Sequence, residues 1–237
     1  MVECKGFFYV VGIYLRNMRK VLYASLLMNA LLFAALFLKY RTVRAEYRQA
    51  EAAVTLQKQA RRDMLNALPI DSSDIVFSGN SLTEHFPTEI FKAKNRGISG
   101  STTAELLARL SSFASARRVM LMIGVNDLKN GVPVDTAFAN FKRIADRLPS
   151  LVVQSTLPTA NMEWNSLIIQ YNDLVSTYCN QKGIPFVNLY PHFLKDGKLN
   201  EAYAYDGLHL NQHGYRLWLR LISPYVYWPF YLKYCPV

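Results

Sequence analysis

The sequence predicts an α/β fold, a parallel sheet covered on both faces by helices, carried behind an N-terminal membrane helix and a helical stalk. Three observations carry this reading. Val21 to Leu38 form an uncharged apolar stretch of 18 residues. Residues 40–68 lack Gly and Pro and are rich in helix formers. From residue 70 onward, short apolar runs alternate with helical patterns, the signature of strands joined by helices.

The N-terminal segment, residues 1–20, is basic but broken by the apolar run at 6–15. The stretch 21–38 follows, interrupted only by Ser25 and Asn29. As a helix it spans roughly 27 Å, close to the ~30 Å hydrocarbon core of a bilayer. Arg16, Arg19 and Lys20 precede it, and Lys39, Arg41 and Arg44 follow. Such ends can reach into headgroups, whereas a buried core helix is rarely bracketed by so many cations. The stretch is too long for a signal-peptide core, and Val43-Arg44-Ala45 is a poor cleavage site, so the expectation is an uncleaved signal anchor at 21–38. Cations flank both ends in similar number, so charge alone scarcely sets the orientation. Residues 39–69 read as a helical stalk stopped by Pro69. The heptad signal there is too weak to argue a coiled-coil dimer.

Composition excludes several classes. The chain has 237 residues, 51% hydrophobic and 19% charged, so it can support a core and is not a disordered chain. Its net charge of +10 is unevenly spread: residues 1–68 carry 11 Lys/Arg against 4 Asp/Glu, and the remainder is close to neutral. A nucleic-acid-binding domain carries its excess on the folded surface, so no nucleic-acid partner is expected. Three scattered Cys make neither a disulfide framework nor a zinc site.

In the domain at 70–223, strands are expected at Asp74–Phe77, Ala93–Ile98, Arg117–Ile123, Leu151–Ser155 and Ile184–Leu189. Helices are expected at Thr102–Ser112, Val134–Leu148, Asn161–Lys182 and Gln212–Ile222. The first three strands run into Ser78-Gly79-Asn80-Ser81, Gly97-Ile98-Ser99-Gly100-Ser101 and Gly124-Val125-Asn126-Asp127. Taken singly, each is an ordinary strand-to-helix turn. With strand order 2-1-3-4-5, however, all three meet at the switch point where open α/β sheets bind ligands.

A fourth element, Asp206-Gly207-Leu208-His209, gives the cluster a chemistry. A carboxylate three residues from an imidazole can hold one ring nitrogen while the other faces a nucleophile. A serine hydroxyl needs such a base, and Ser81 is the candidate. The backbone N–H groups of Ser81 and Gly100 and the amide of Asn126 are candidate donors to a developing oxyanion. Rival sites are weaker. His213 follows His209 by four residues, but no Asp, Glu or Cys set at ligand spacing accompanies it, so no metal is expected. His85 and His192 lack a neighbouring acid like Asp206; either could line the pocket, with loop solvation the first expectation. Asp127 reads as a structural or capping carboxylate, and Cys179 as a core residue.

The segments Ile75–Thr83, Asn95–Thr103, Met120–Asp127 and Asp206–His209, in this order, resemble the SGNH (GDSL-type) hydrolase family over about residues 72–223. The resemblance implies a three-layer α/β/α sandwich with a flavodoxin-like parallel five-stranded sheet. It also implies ester hydrolysis through an acyl-enzyme, without metal or other cofactor. Ser81 would be the nucleophile, His209 the general base and Asp206 its orienter, with Ser81, Gly100 and Asn126 forming the oxyanion hole. Gly79-Asn80-Ser81 departs from the usual Gly-Asp-Ser, a change expected to alter local hydrogen bonding and surface charge without abolishing activity. Ser101 stands where the family often has an acid.

The expected function is a membrane-anchored serine esterase acting on an O-acyl ester, first of all a glycan O-acetyl group, with its domain outside the cytoplasm. The alternatives are a lysophospholipase or thioesterase for longer acyl chains, and a catalytically inactive tethered binding module. The aromatic C-terminal tail, residues 224–237, either docks on the bilayer surface or packs over the domain or stalk.

Overall fold

The computed structural model describes residues 3–148 and 150–227, with side chains from residue 12 onward. The chain divides into two units, residues 1–57 and 58–237. The first is helical: a single helix, α1, runs Glu3–Ala67, and its residues 12–57 are exposed throughout. It is long and apolar enough to cross a membrane. The last ten residues of α1 belong to the second unit, where Leu65 is buried.

The second unit is built on five parallel strands. In chain order its elements are β1 (Ile75–Gly79), α2 (Ser81–Glu84), β2 (Lys94–Gly97), α3 (Thr103–Ala108), β3 (Arg118–Met122), α4 (Val125–Lys129), α5 (Val134–Ala145), β4 (Leu151–Gln154), α6 (Met162–Lys182), β5 (Phe186–Val187), α7 (Tyr190–Phe193), β6 (Leu194–Lys195), β7 (Lys198–Leu199) and α8 (Gln212–Val226). The sheet order is β2-β1-β3-β4-β5, all parallel, and β6 and β7 form a separate antiparallel hairpin. The expected order and α/β class therefore hold. β1 runs two residues past its expected end, to Gly79, whereas the other four strands are shorter than expected.

Alternate side chains of the strands feed two cores, as the period of two requires. Val76, Val119, Leu121 and Val153 pack under α3, α5 and α6 with Phe141, Ile168 and Val175. Phe77, Met120, Met122 and Val152 pack on the opposite face with Trp218, Ile222 and Val226 of α8. Burial on both faces explains the nearly continuous apolar runs of β1 and β3.

Two differences from the sequence reading have physical causes. The helix expected to stop at Ile222 continues through Pro224 to Val226. Proline removes only one donor there, near the helix end. Arg118 Nη1 donates to the Tyr225 and Val226 carbonyls at 3.3 and 3.1 Å, and buried Val226 anchors the last turn. The one-turn helices α2, α4 and α7 and the two-residue strands of the hairpin are too short to produce a periodic pattern. The remainder of the aromatic tail, residues 228–237, lies outside the described residues.

Candidate active site

Strand β1 delivers its chain into a sharp turn. Asn80 caps α2, its side-chain oxygen accepting from Leu82 N at 3.0 Å. Asn80 is 1% exposed, so its departure from aspartate changes an interior cap and leaves surface charge untouched, contrary to the sequence expectation. Ser81 opens α2 with its hydroxyl at the open end of the sheet. Its Oγ lies 3.0 Å from His209 Nε2. His209 Nδ1 lies 2.8 Å from Asp206 Oδ2. The second Asp206 oxygen accepts the backbone N–H groups of Leu208 and His209, each at 2.7 Å. The segment 206–209 is thus a self-capped turn that fixes the carboxylate and presents the ring.

Burial pushes the Asp206 carboxyl up, but the His209 and Leu208 hydrogen bonds outweigh it and hold the group down at about 2. An ionised Asp206 fixes the Nδ1–H tautomer of His209, which leaves Nε2 free to accept the Ser81 proton. Serine, imidazole and carboxylate are therefore in one hydrogen-bonded line.

The other two blocks end on neighbouring strands. Gly79 pairs with Gly97 of β2 and with Met122 of β3, so the segments after each strand emerge side by side. Gly100 has φ +71°, a conformation that costs an L side chain, and its N–H has no acceptor among the described residues. Gly124 has φ +128°, and a β-carbon there would meet the Tyr171 ring at 2.5 Å. Two residues on, Asn126 Nδ2 donates to the Ser101 carbonyl at 2.9 Å, which leaves its second N–H free. Asp127 accepts from Thr103 N at 2.9 Å and from Thr103 Oγ1 at 2.6 Å. Asn126 and Asp127 together pin the loop of Gly100 to the third block. Burial pushes the Asp127 carboxyl up, opposed by those Thr103 contacts.

Further groups border the line of Ser81, His209 and Asp206. The His85 ring lies edge-on to His209 with centroids 6.3 Å apart. It stands four residues after Ser81, which a helical turn brings to one side. Tyr215 donates its hydroxyl to the Leu82 carbonyl at 3.1 Å, and Trp218 donates to Gln154 Oε1 at 2.6 Å, tying α8 to the floor of the site. A cleft of about 720 Å³ borders Asp206 and the β6–β7 hairpin, lined by Lys195, Lys198, Glu201 and the exposed Tyr205 among others. Ser81 and His209 lie outside that lining. His192 and His213 are exposed. Cys179 is buried, and burial pushes its thiol up to about 12, so it is an inert core residue.

Comparison with known proteins agrees with this fold. The GDSL-like Lipase/Acylhydrolase family matches residues 71–217. The N-acylneuraminate cytidylyltransferase of Streptococcus agalactiae serotype V is 30% identical over 150 residues, covering 60% of this chain and 36% of that protein. The chain thus spans about a third of the length of the curated relatives it matches. A GDSL-like lipase from Bacteroides thetaiotaomicron superposes with a TM-score of 0.64 at 24% identity, covering 71% of this chain and 96% of that one. An acetylxylan esterase from Geobacillus stearothermophilus shares the fold with a TM-score of 0.57 at 17% identity, covering 67% and 95%. With its sheet order, its three strand-end segments, the Asp206–His209 turn and a match over most of its second unit, the chain belongs to the GDSL-like lipase/acylhydrolase family.

Proposed function

We propose that this chain is a membrane-anchored serine esterase that hydrolyses O-acyl esters, with a glycan-linked O-acetyl group as the preferred substrate. The observation that carries the reading is the line Ser81 Oγ, His209 Nε2, His209 Nδ1, Asp206 Oδ2, with steps of 3.0 and 2.8 Å. Its chemistry follows from the donors and acceptors. His209 Nε2 takes the Ser81 proton as Oγ attacks the ester carbonyl. The oxyanion receives the N–H groups of Ser81 and Gly100 and the free N–H of Asn126. His209 then gives its proton to the departing alcohol, leaving an acyl-Ser81. A water attacks next, losing its proton to His209, and collapse releases the carboxylic acid and restores the serine. Asp206 stays ionised throughout and holds the imidazole.

The glycan reading rests on the alcohol side. The cleft beside Asp206 offers charged groups and the exposed Tyr205 ring, surroundings suited to a hydroxylated, partly charged leaving group. Two of the relatives are named for sugar substrates, an N-acylneuraminate and an acetylated xylan. The uncharged stretch 21–38, exposed along its whole length, supports the anchor. A glycan ester as substrate favours a domain on the outer side of that membrane.

Hydrolysis rates on p-nitrophenyl esters from C2 to C12, alongside acetylated sugars, test the substrate class. A maximum at C2 with release of acetate from an acetylated sugar is expected. A maximum at C8 or longer would replace this reading with a lysophospholipase or thioesterase.

A further inference from the structure

The second unit begins inside α1, and the first residues it takes from that helix lie against the loop that carries Gly100. Lys58 Nζ donates to the Gly100 carbonyl at 3.0 Å and pairs with the Glu105 carboxylate at 2.7 Å. One turn further on, Arg61 Nε donates to the Gly97 carbonyl at 3.0 Å and pairs with Glu84 Oε1 at 3.0 Å. The other Glu84 oxygen accepts Ser99 N–H. Glu105 closes the capping box of α3 by accepting Thr102 N–H at 3.0 Å. With Asn126 on the Ser101 carbonyl, Ser101 N–H on the Ile98 carbonyl and Asp127 on Thr103, the loop is tied down on either side of the Ser99–Gly100 peptide. The Gly100 N–H is left without an acceptor among the described residues.

We infer that Lys58 and Arg61 are positioning residues of the oxyanion hole, so that the end of the stalk helix is part of the machinery that sets the reaction rate. The inference rests on the proposed role of Gly100 as an oxyanion donor. A glycine at φ +71° has wide conformational freedom, and nothing in its own chemistry aims its N–H. The direction of that N–H is set by the surrounding loop, whose Gly97 and Gly100 carbonyls are held from α1 while its Ile98 and Ser101 carbonyls accept Ser101 N–H and Asn126 Nδ2. Magnitudes separate this role from a stabilising one. The ion pairs are partly exposed, with Lys58 and Glu105 side chains 27% and 41% accessible, and pairs of that kind contribute little to stability. A donor displaced by about 1 Å from its oxyanion, by contrast, can cost as much as 10²-fold in rate. Loss of the clamp therefore shows in turnover before it shows in folding.

The test uses the full chain in detergent, with kcat and KM for p-nitrophenyl acetate, affinity for a methylboronic acid, and the thermal midpoint. Lys58→Met and Arg61→Met are expected to lower kcat roughly tenfold each, with KM and midpoint unchanged and boronate affinity falling in parallel. The double variant should lose less than the product of the two, since both hold one loop. Lys58→Arg, which keeps a donor for the Gly100 carbonyl and a charge for Glu105, should recover most of the rate. Should Lys58→Met unfold, Glu105→Gln releases the ammonium while keeping an acceptor for Thr102, and the same kcat loss is expected of it. Wild-type kcat and boronate affinity in Lys58→Met, beside a hundredfold loss in Asn126→Ala, would overturn the clamp and leave the oxyanion hole standing. Wild-type rates in both would overturn the oxyanion hole and the clamp with it.

Discussion

Asp127 is the joint between the second and third site segments, and its replacement by alanine gives a worked prediction. Asp127 and Thr103 are 1% and 0% exposed. The carboxylate accepts Thr103 N–H at 2.9 Å and Thr103 O–H at 2.6 Å. Removing it leaves the buried Thr103 N–H and O–H without an acceptor, at about 1–3 kcal/mol, because Asn140 Nδ2, 3.2 Å from the hydroxyl oxygen, is itself a donor. Against this stands a relief, because burial raises the Asp127 pKa and its charge is therefore held at a cost. The net loss expected for Asp127→Ala is about 1–3 kcal/mol, and for Asp127→Asn, which keeps one acceptor and sheds the charge, under about 1.5 kcal/mol. Urea unfolding of the full chain measures both. A cycle with Thr103→Ala should give a coupling of about 1–2 kcal/mol. Because the folded pKa lies above the ordinary 3.8, this charge opposes folding once pH exceeds the folded value, so the deficit of Asp127→Ala should widen as pH falls below it. A midpoint equal to wild type and a coupling of zero would refute the reasoning.

Further outcomes follow from the same contacts. His209→Ala should lower kcat by several orders of magnitude without unfolding the chain, and steady-state kinetics with circular dichroism checks it. Asn126→Ala should cost roughly 10²–10³ in kcat with little change in KM. Asp206 is held at about 2 against an ordinary 3.8, so its contribution to stability is complete above pH 4 and disappears as pH falls through 2. Acid titration of unfolding in wild type and Asp206→Asn should differ in that window, and identical curves would remove the Asp206 network. Trp218→Ala, which empties the largest side chain of the α8 face and frees Gln154, should cost about 3–5 kcal/mol in urea unfolding.

The sheet was readable because both its faces are buried: Ile75–Phe77 and Val119–Ile123 are apolar at every position and are followed at once by Ser78-Gly79-Asn80 and by Gly124. Strand order entered as a premise: with 2-1-3-4-5 the ends that carry Ser81, Gly100 and Asn126 meet, and the sheet has that order. What escaped the sequence is what depends on distance along the chain. Lys58 and Glu105 are 47 residues apart and look like solvated charges until the fold brings them together. Asn80 looked like a surface substitution because its role as a buried cap depends on the turn of β1 into α2. The β6–β7 hairpin, two residues a strand, carries no period to detect, yet it walls the cleft beside Asp206.

The central claim is that the Ser81 hydroxyl is made nucleophilic by His209. Incubation of the full chain with a fluorophosphonate, followed by intact mass and peptide mapping, tests it directly. The account predicts one adduct, on the peptide containing Ser81, absent in Ser81→Ala and slowed by orders of magnitude in His209→Ala. An unmodified wild-type chain, or an adduct on any other residue, would contradict it.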